Sequence, residues 1–327
     1  MNTPPPDSLP QPQRGFNTSR RGFLKTVSVL PIALGAARLA SRATAAPAAA
    51  DALPQIPFGR YSMSRLVCGA NPFNGGSHLS VFVNKELKLY YTPEQILKTL
   101  RRCQEVGINF WQSGGKLHCE LYQQLVAEGS KMHYISLGAD PKEIETYQKR
   151  GCVAIAHHGE VTDRLFKQGK LDDIHDFLKR VRDAGLMVGV STHMPAVVDA
   201  IESKGWDVDF FMCCVYERHR SAEDLQKLLG AVPIPVGEVY LQSDPPRMFK
   251  VIQQTKRTCL AFKILAAGRL SERREWVENA FKQTFAGIKP TDGVLVGIYD
   301  KFSDQPVEDA GYARRFGAVR VDVGNKS

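Results

Sequence analysis

The stretch "TPEQILKTLRRCQEVGINFWQSGG", Thr92–Gly115, contains a helix, a strand and a polar turn in 24 residues. Thr92 is a natural N-cap, Pro93 suits the first helical position, Glu94 and Gln95 occupy the first turn, and Gly107 ends the helix. "INFWQ" then reads as a short apolar strand. It ends on Gln112 and opens into a polar segment holding Lys116 and His118. A helix feeding a strand whose far end carries polar side chains is one repeat of an α/β fold.

The repeat recurs along the chain. Strand candidates lie at residues 64–70, 108–112, 133–139, 153–158, 187–193, 208–215, 259–265 and 293–299, with helix-period segments between them. "KLDDIHDFLKRVRDAG" places Ile174, Phe177, Leu178 and Val181 on one face and closes at Gly185. Eight such units in residues 56–320 match a closed (β/α)8 TIM barrel, which typically needs ~250 residues. An open doubly wound sheet is the alternative, but it would normally carry a GxGxxG turn, which is absent.

In a barrel of this kind, chemistry sits at the C-terminal ends of the strands. There the sequence offers Asn71 and Asn74, Gln112, Lys116 and His118, Asp140, then His157, His158 and Glu160. His193 follows, then Tyr216, Glu217, Arg218 and His219, Lys263, Tyr299 and Asp300. Four of the eight histidines (His118, His158, His193, His219) fall at this face. Residues 217–243 read as a long, solvated connection with a basic start.

The net charge is +9. Six basic residues and one acid before residue 46 account for five of those charges and leave +4 for the rest. No basic run interleaves with aromatics, so no nucleic-acid partner is expected. "SRRGFLK" (Ser19–Lys25), a weak apolar run and Ala43-Thr44-Ala45 resemble a twin-arginine (Tat) export signal with its cleavage site. The expected organisation is a signal peptide over 1–45, a linker over 46–55, the barrel over 56–320 and a tail over 321–327. Expected with it are passage through the Tat translocase, a periplasmic location and no stable membrane anchor, the apolar run being shorter than a span of ~20 residues. The seven cysteines form no CxxC, and five of them (Cys68, Cys152, Cys213, Cys214 and Cys259) lie in or beside apolar strand-like runs, as small buried hydrophobes do.

Several segments, in order, resemble the aldo/keto reductase superfamily. "IPFGRYSMSRLVCGANPFNGG" is similar to its opening β-hairpin and first strand, and "GINFWQSG" to its second strand. "VAIAHHGE", "DFLKRVRDAGLMVGVSTHMPAVVDAI", "AFKILAAG" and "GVLVGIYDKFSDQPVEDA" resemble later pieces. The resemblance implies a hairpin across the barrel floor and hydride transfer between NADP and a carbonyl of a small molecule. The family's proton donor is a Tyr tuned by a Lys and an Asp, with a His that orients the carbonyl. His158 matches that His. Gln112 stands at the Asp position, Leu117 or His118 at the Tyr position, and Leu137 or Gly138 at the Lys position.

The catalytic candidates are therefore His158, Gln112, His118 and Lys116, with an amide at 112 because an unpaired buried carboxylate would be costly. For the cofactor the resemblance implies Ser191, Thr192, Tyr216, Lys263, Gly268, Lys301, Gln305, Glu308 and Asp309. Within it, Tyr216 would stack on the nicotinamide, Ser191 and Thr192 would meet its carboxamide, and Lys301 would neutralise a 2′-phosphate. Two alternatives stay open. One is a cofactor-independent or metal-assisted lyase, isomerase or hydrolase, its metal held by His118, His158 and His193 with Glu160 or Asp140. The other is a non-catalytic ligand-binding barrel.

Overall fold

A computed structural model describes residues 52–318, apart from 219 and 235–237. The export segment and the tail expected from the sequence lie outside the described residues.

A two-stranded antiparallel hairpin comes first, β1 (Gln55–Phe58) and β2 (Tyr61–Ser64), turning at Gly59 with φ +56°. Eight parallel strands then close into a barrel: β3 (Leu66–Gly69), β4 (Phe110–Ser113), β5 (His133–Gly138), β6 (Ala154–His157), β7 (Met187–Thr192), β8 (Phe210–Cys214), β9 (Thr258–Phe262) and β10 (Gly293–Gly297). Their order is sequential, and β10 pairs with β3 to close the ring. The (β/α)8 expectation and its hairpin are both met.

The surrounding helices are α1 (Val81–Tyr90), α2 (Pro93–Glu105), α3 (Lys116–Ala127), α4 (Ile144–Lys149), α5 (Gly159–Lys167), α6 (Leu171–Asp183), α7 (Pro195–Ser203), α8 (Ala222–Leu229), α9 (Asp244–Gln254), α10 (Arg274–Gly287) and α11 (Gln305–Phe316). Helix α2 starts as its sequence requires, with the Thr92 hydroxyl accepting from Gln95 N. The buried residues of α6 are Ile174, Phe177, Leu178 and Val181. Helices α1, α5 and α8 were not anticipated, and α5 turns out to matter most.

Strand alternation divides the core in two. Val67, Phe110, Ile135, Ala154, Ala156, Phe210, Met212, Leu260 and Leu295 fill the lumen, and Ile56, Phe58 and Met63 of the hairpin join that cluster from below. Side chains of the opposite parity pack outward under the helices. Gly189 on β7 faces the Phe210 ring so closely that a Cβ would stand 2.2 Å from it, so only glycine lets that ring occupy the lumen. All seven cysteines are buried and free.

Candidate active site

With the lumen plugged by apolar layers, the polar residues at the upper ends of the strands form a mouth. Gln112 lies two residues beyond lumen-facing Phe110 and shares its face; it is 7% exposed, its amide donating to Ser113 O at 3.3 Å. His158 follows β6 and sits at the N-cap of α5. Burial lowers its pKa, the Lys263 and Arg218 cations adding to this and Glu160 opposing it. Its Nδ1 is buried and makes no hydrogen bond.

His193, just past β7, is held more firmly. Asp163, on α5 and 2% exposed, accepts from His193 Nδ1 at 2.7 Å, from His193 N at 3.0 Å and from Thr192 Oγ1 at 2.5 Å. Since the carboxylate accepts, Nδ1 carries the proton and Nε2 the lone pair, and Nε2 accepts from Arg218 Nη1 at 2.9 Å. Burial pushes His193 down to about 4, against the opposing pull of Asp163, so the ring is neutral at pH 7.

Arg218 is the hub of the mouth. Nη1 also donates to Glu160 Oε1 at 2.7 Å and Nη2 to Glu238 Oε1, while the buried Nε has no partner. Glu238 in turn bonds His78 Nδ1 (2.9 Å) and the Tyr240 hydroxyl (2.6 Å). Burial alone would raise the Glu238 carboxyl, but the bonds from His78 and Tyr240 and the Arg218 charge outweigh it and hold it well below the usual range. The solvated connection expected after β8 holds over most of residues 221–234 but not at its start, where the Arg218 side chain is 5% exposed because three acceptors compensate its burial. His219 lies outside the described residues.

Lys263 closes the ring from β9. Its Nζ lies 5.6 Å from the centre of the Phe262 ring, which itself packs 5.6 Å from the His193 ring. Among the described residues this ammonium makes no hydrogen bond or ion pair. Burial lowers its pKa, Arg218 adding to this and Cys214, Glu238 and Glu160 opposing. Lys263, Ala266 and Ala267 all adopt left-handed φ (59°, 48° and 52°), a conformation that costs a non-glycine residue roughly 1 kcal/mol or more.

From Lys263 a cleft of about 600 Å³ runs outward between the loop after β3, the loop after β9, and the start of α11. Gly268, Gln305, Glu308 and Asp309 line it with Lys263, as do Asn71, His78, Arg274 and Tyr299. Gly268 has φ +89°, which favours glycine. Gln305 Oε1 accepts from Tyr299 N at 2.7 Å, leaving its amide nitrogen to donate elsewhere. Burial, with Glu308 adding, pushes the Asp309 carboxyl up to about 8, so it carries a proton at neutral pH and both donates and accepts. The Tyr299 hydroxyl is buried and unpartnered.

The remaining candidates are placed elsewhere. His118 lies inside α3, 2% exposed, its Nδ1 against Ser113 Oγ and its ring among Trp111 and Phe73; burial lowers it to about 4, and it is a neutral core histidine. Lys116 begins α3 with 82% of its side chain exposed and faces Glu120. Thr192 is committed to Asp163, while Ser191 is 2% exposed and packs beneath Gly159. Tyr216 lies against Tyr240 (ring centres 5.2 Å) and lines a separate cavity of about 950 Å³ with Phe249 and Trp276. Lys301 is paired with Glu86 and lines another groove with Asp300 and Arg102. Among the described residues no three His, Cys, Asp or Glu side chains come together as a metal-binding set, so the metal-assisted alternative has no geometric support.

Two functional residues escaped the sequence reading, Asp163 and Glu238. Asp163 had a usable signal. "HGEVTDRLFKQG" has an acid in the first turn, apolar residues at 161, 165 and 166 and a terminal glycine, the marks of a helix that brings position 163 back over the next strand. Glu238 had none, since apart from neighbouring Tyr240 its partners lie 160 and 20 residues away.

No family model and no curated protein matches this chain. Solved structures do. A glycerol dehydrogenase from Gluconobacter oxydans matches at 13% identity and a TM-score of 0.48, over 86% of this chain and all of that one. An aldo-keto reductase from Bacillus halodurans matches at 13% identity and 0.47, over 83% and 99%. A truncated 3-deoxy-D-arabino-heptulosonate 7-phosphate synthase from Thermotoga maritima matches at 11% identity and 0.49, over 82% and 94%. All three carry the names of enzymes. The chain is similar in structure to aldo-keto reductases and to other TIM-barrel enzymes alike, and at these scores the likeness carries no argument for any one activity.

Proposed function

We propose that this protein is an enzyme of the oxidoreductase kind, binding a nicotinamide dinucleotide in the cleft and a small carbonyl or sugar-like compound in the mouth. The observation that carries this reading is convergence. Gly268 after β9 and Gln305, Glu308 and Asp309 on α11, assigned to the cofactor from separate stretches of sequence, line one cleft that ends at the mouth. The residues present suit a nucleotide. An orphaned Tyr299 hydroxyl, a free Gln305 amide and a protonated Asp309 offer donors and acceptors to a base and ribose, and glycine at 268 leaves room for a backbone approach.

When bound, the cofactor supplies or accepts the hydride. The chain's part is to hold the substrate oxygen and move a proton. His158 is the candidate for both, with its Nδ1 buried and unengaged beside two cations. Gln112 offers an amide that donates or accepts without charge. His193 serves by position, since Asp163 fixes its tautomer and Arg218 occupies its Nε2.

The export signal read from "SRRGFLK" supports a further part of the proposal, that the protein crosses the membrane folded through the Tat translocase and works in the periplasm without a stable anchor. Fluorescence titration of the purified protein with NADPH and with NADH tests the central reading. Saturable quenching, weakened at least about tenfold by Asp309→Leu, is the expected result. No saturable change with either nucleotide would remove it.

A further inference from the structure

Lys263, which the family resemblance assigns to the nucleotide and which lines the same cleft, is placed to do more than bind a phosphate. It stands at the junction of cleft and mouth, part-buried and without a hydrogen bond or ion pair among the described residues. Among the described residues the neighbouring arginines are engaged: Arg218 with Glu160, Glu238 and His193, and Arg220 with Glu217 and Asp244. The backbone holds it there at a cost, with left-handed φ at Lys263 itself and at two residues of the loop that follows. The His158 ring, its pKa lowered by burial, and the neutral His193 ring share the enclosure. A lysine desolvated beside another cation, with a cavity in front of it and proton-relay groups at hand, is the arrangement in which an amine becomes a nucleophile.

We propose that Lys263 is a reactive amine that condenses with a small aldehyde or ketone entering the barrel mouth. The Nζ lone pair forms the C–N bond while the carbonyl π pair moves to oxygen. Nitrogen gives up a proton and oxygen takes one, His158 accepting the first and returning the second so that the ring is unchanged. Loss of the new hydroxyl as water, together with the proton that remains on the nitrogen and passes through His158, leaves a neutral C=N bond to Lys263. No oxidant or reductant is consumed, so the step is independent of any nucleotide and stands or falls apart from the reading above. The groups that face the amine are Cys214, Arg218, Glu238, Glu160, His158 and His193. Burial supports the chemistry, because it lowers the pKa of Lys263 and so raises the share of uncharged amine at neutral pH.

The probe is propanal at limiting concentration and pH 7, with borohydride reduction and peptide mapping by mass spectrometry on the full-length protein. Lys263 is expected to carry the propyl mark at least about tenfold faster than exposed Lys116, the internal reference. Lys263→Arg should lose that mark while Lys116 reacts as before, circular dichroism confirming the fold. Equal or slower labelling of Lys263 than of Lys116 in the wild-type protein would overturn the proposal, and that comparison needs no variant.

Discussion

The two ends of the barrel are built on opposite terms. At the floor Phe58 meets Phe110 and Phe210 edge-on at 5.5 and 5.0 Å, sealing the lumen with apolar surface. The charges there are answered in full. Arg65 donates to the carbonyls of Asp292, Lys289 and Gly317, while Asp292 accepts from Cys259 N, Lys289 N and Lys289 Nζ. At the mouth, among the described residues, His158 Nδ1, Arg218 Nε and the Tyr299 hydroxyl are buried without partners, Lys263 is unpaired, and His78, Lys263, Ala266 and Ala267 are left-handed. Unsatisfied groups mark candidate working positions, although Trp111 Nε1, the Tyr134 hydroxyl and Ser136 Oγ are left without partners within β4 and β5 as well. The floor stores stability and the mouth spends it.

The largest test of that contrast is titration. His118, His157 and His193 are each lowered to about 4 by burial, so between about 6.5 and 4 the unfolded chain binds protons that the folded one refuses, and stability falls with pH. Asp309, raised to about 8, works the other way: the folded chain holds its proton from about 8 downward, and stability rises as pH drops toward 6.5. Urea midpoints measured from pH 4 to 9 should therefore peak near 6.5, with an acid arm worth on the order of several kcal/mol. Asp309→Asn should flatten the alkaline arm and steepen the acid one, because a carboxyl raised from 3.8 to about 8 favours the folded chain increasingly as pH falls through that whole window. A profile flat from 7 to 4 would contradict the burial assigned to these rings.

Next in size is the floor itself. Phe58→Ala opens a cavity beneath the lumen and is expected to cost about 3–5 kcal/mol in urea unfolding. The mouth should answer with the opposite sign. Lys263→Met keeps the volume and removes an uncompensated charge, so a gain of about 1 kcal/mol is expected by the same measurement, together with loss of the propanal mark. If Lys263→Met destabilises the fold as floor variants do, the contrast between the ends is wrong.

The barrel was legible because it is written in local patterns: alternation within each strand, caps such as Thr92, and a buried stripe such as that of α6. The site was legible only in part. His158 and Gln112 stand at strand ends, and Gly268, Gln305, Glu308 and Asp309, which the family resemblance pointed to, line one cleft. Partnership was not legible. Lys301 is neutralised by Glu86, 215 residues away, and His118 turns under α3 because its helix buries that face. For Asp163 the helix itself was readable in the sequence, but its pairing with His193, 30 residues on, was not. Such pairings depend on which loops meet over the ring, and period and spacing do not report that.

Hydrogen exchange with and without saturating NADPH tests most directly whether the mouth and cleft are the working end. Slower exchange confined to residues 263–271 and 303–312, with the hairpin at 55–64 unchanged, is the predicted result. Unchanged exchange throughout, or protection centred on the hairpin, would contradict it.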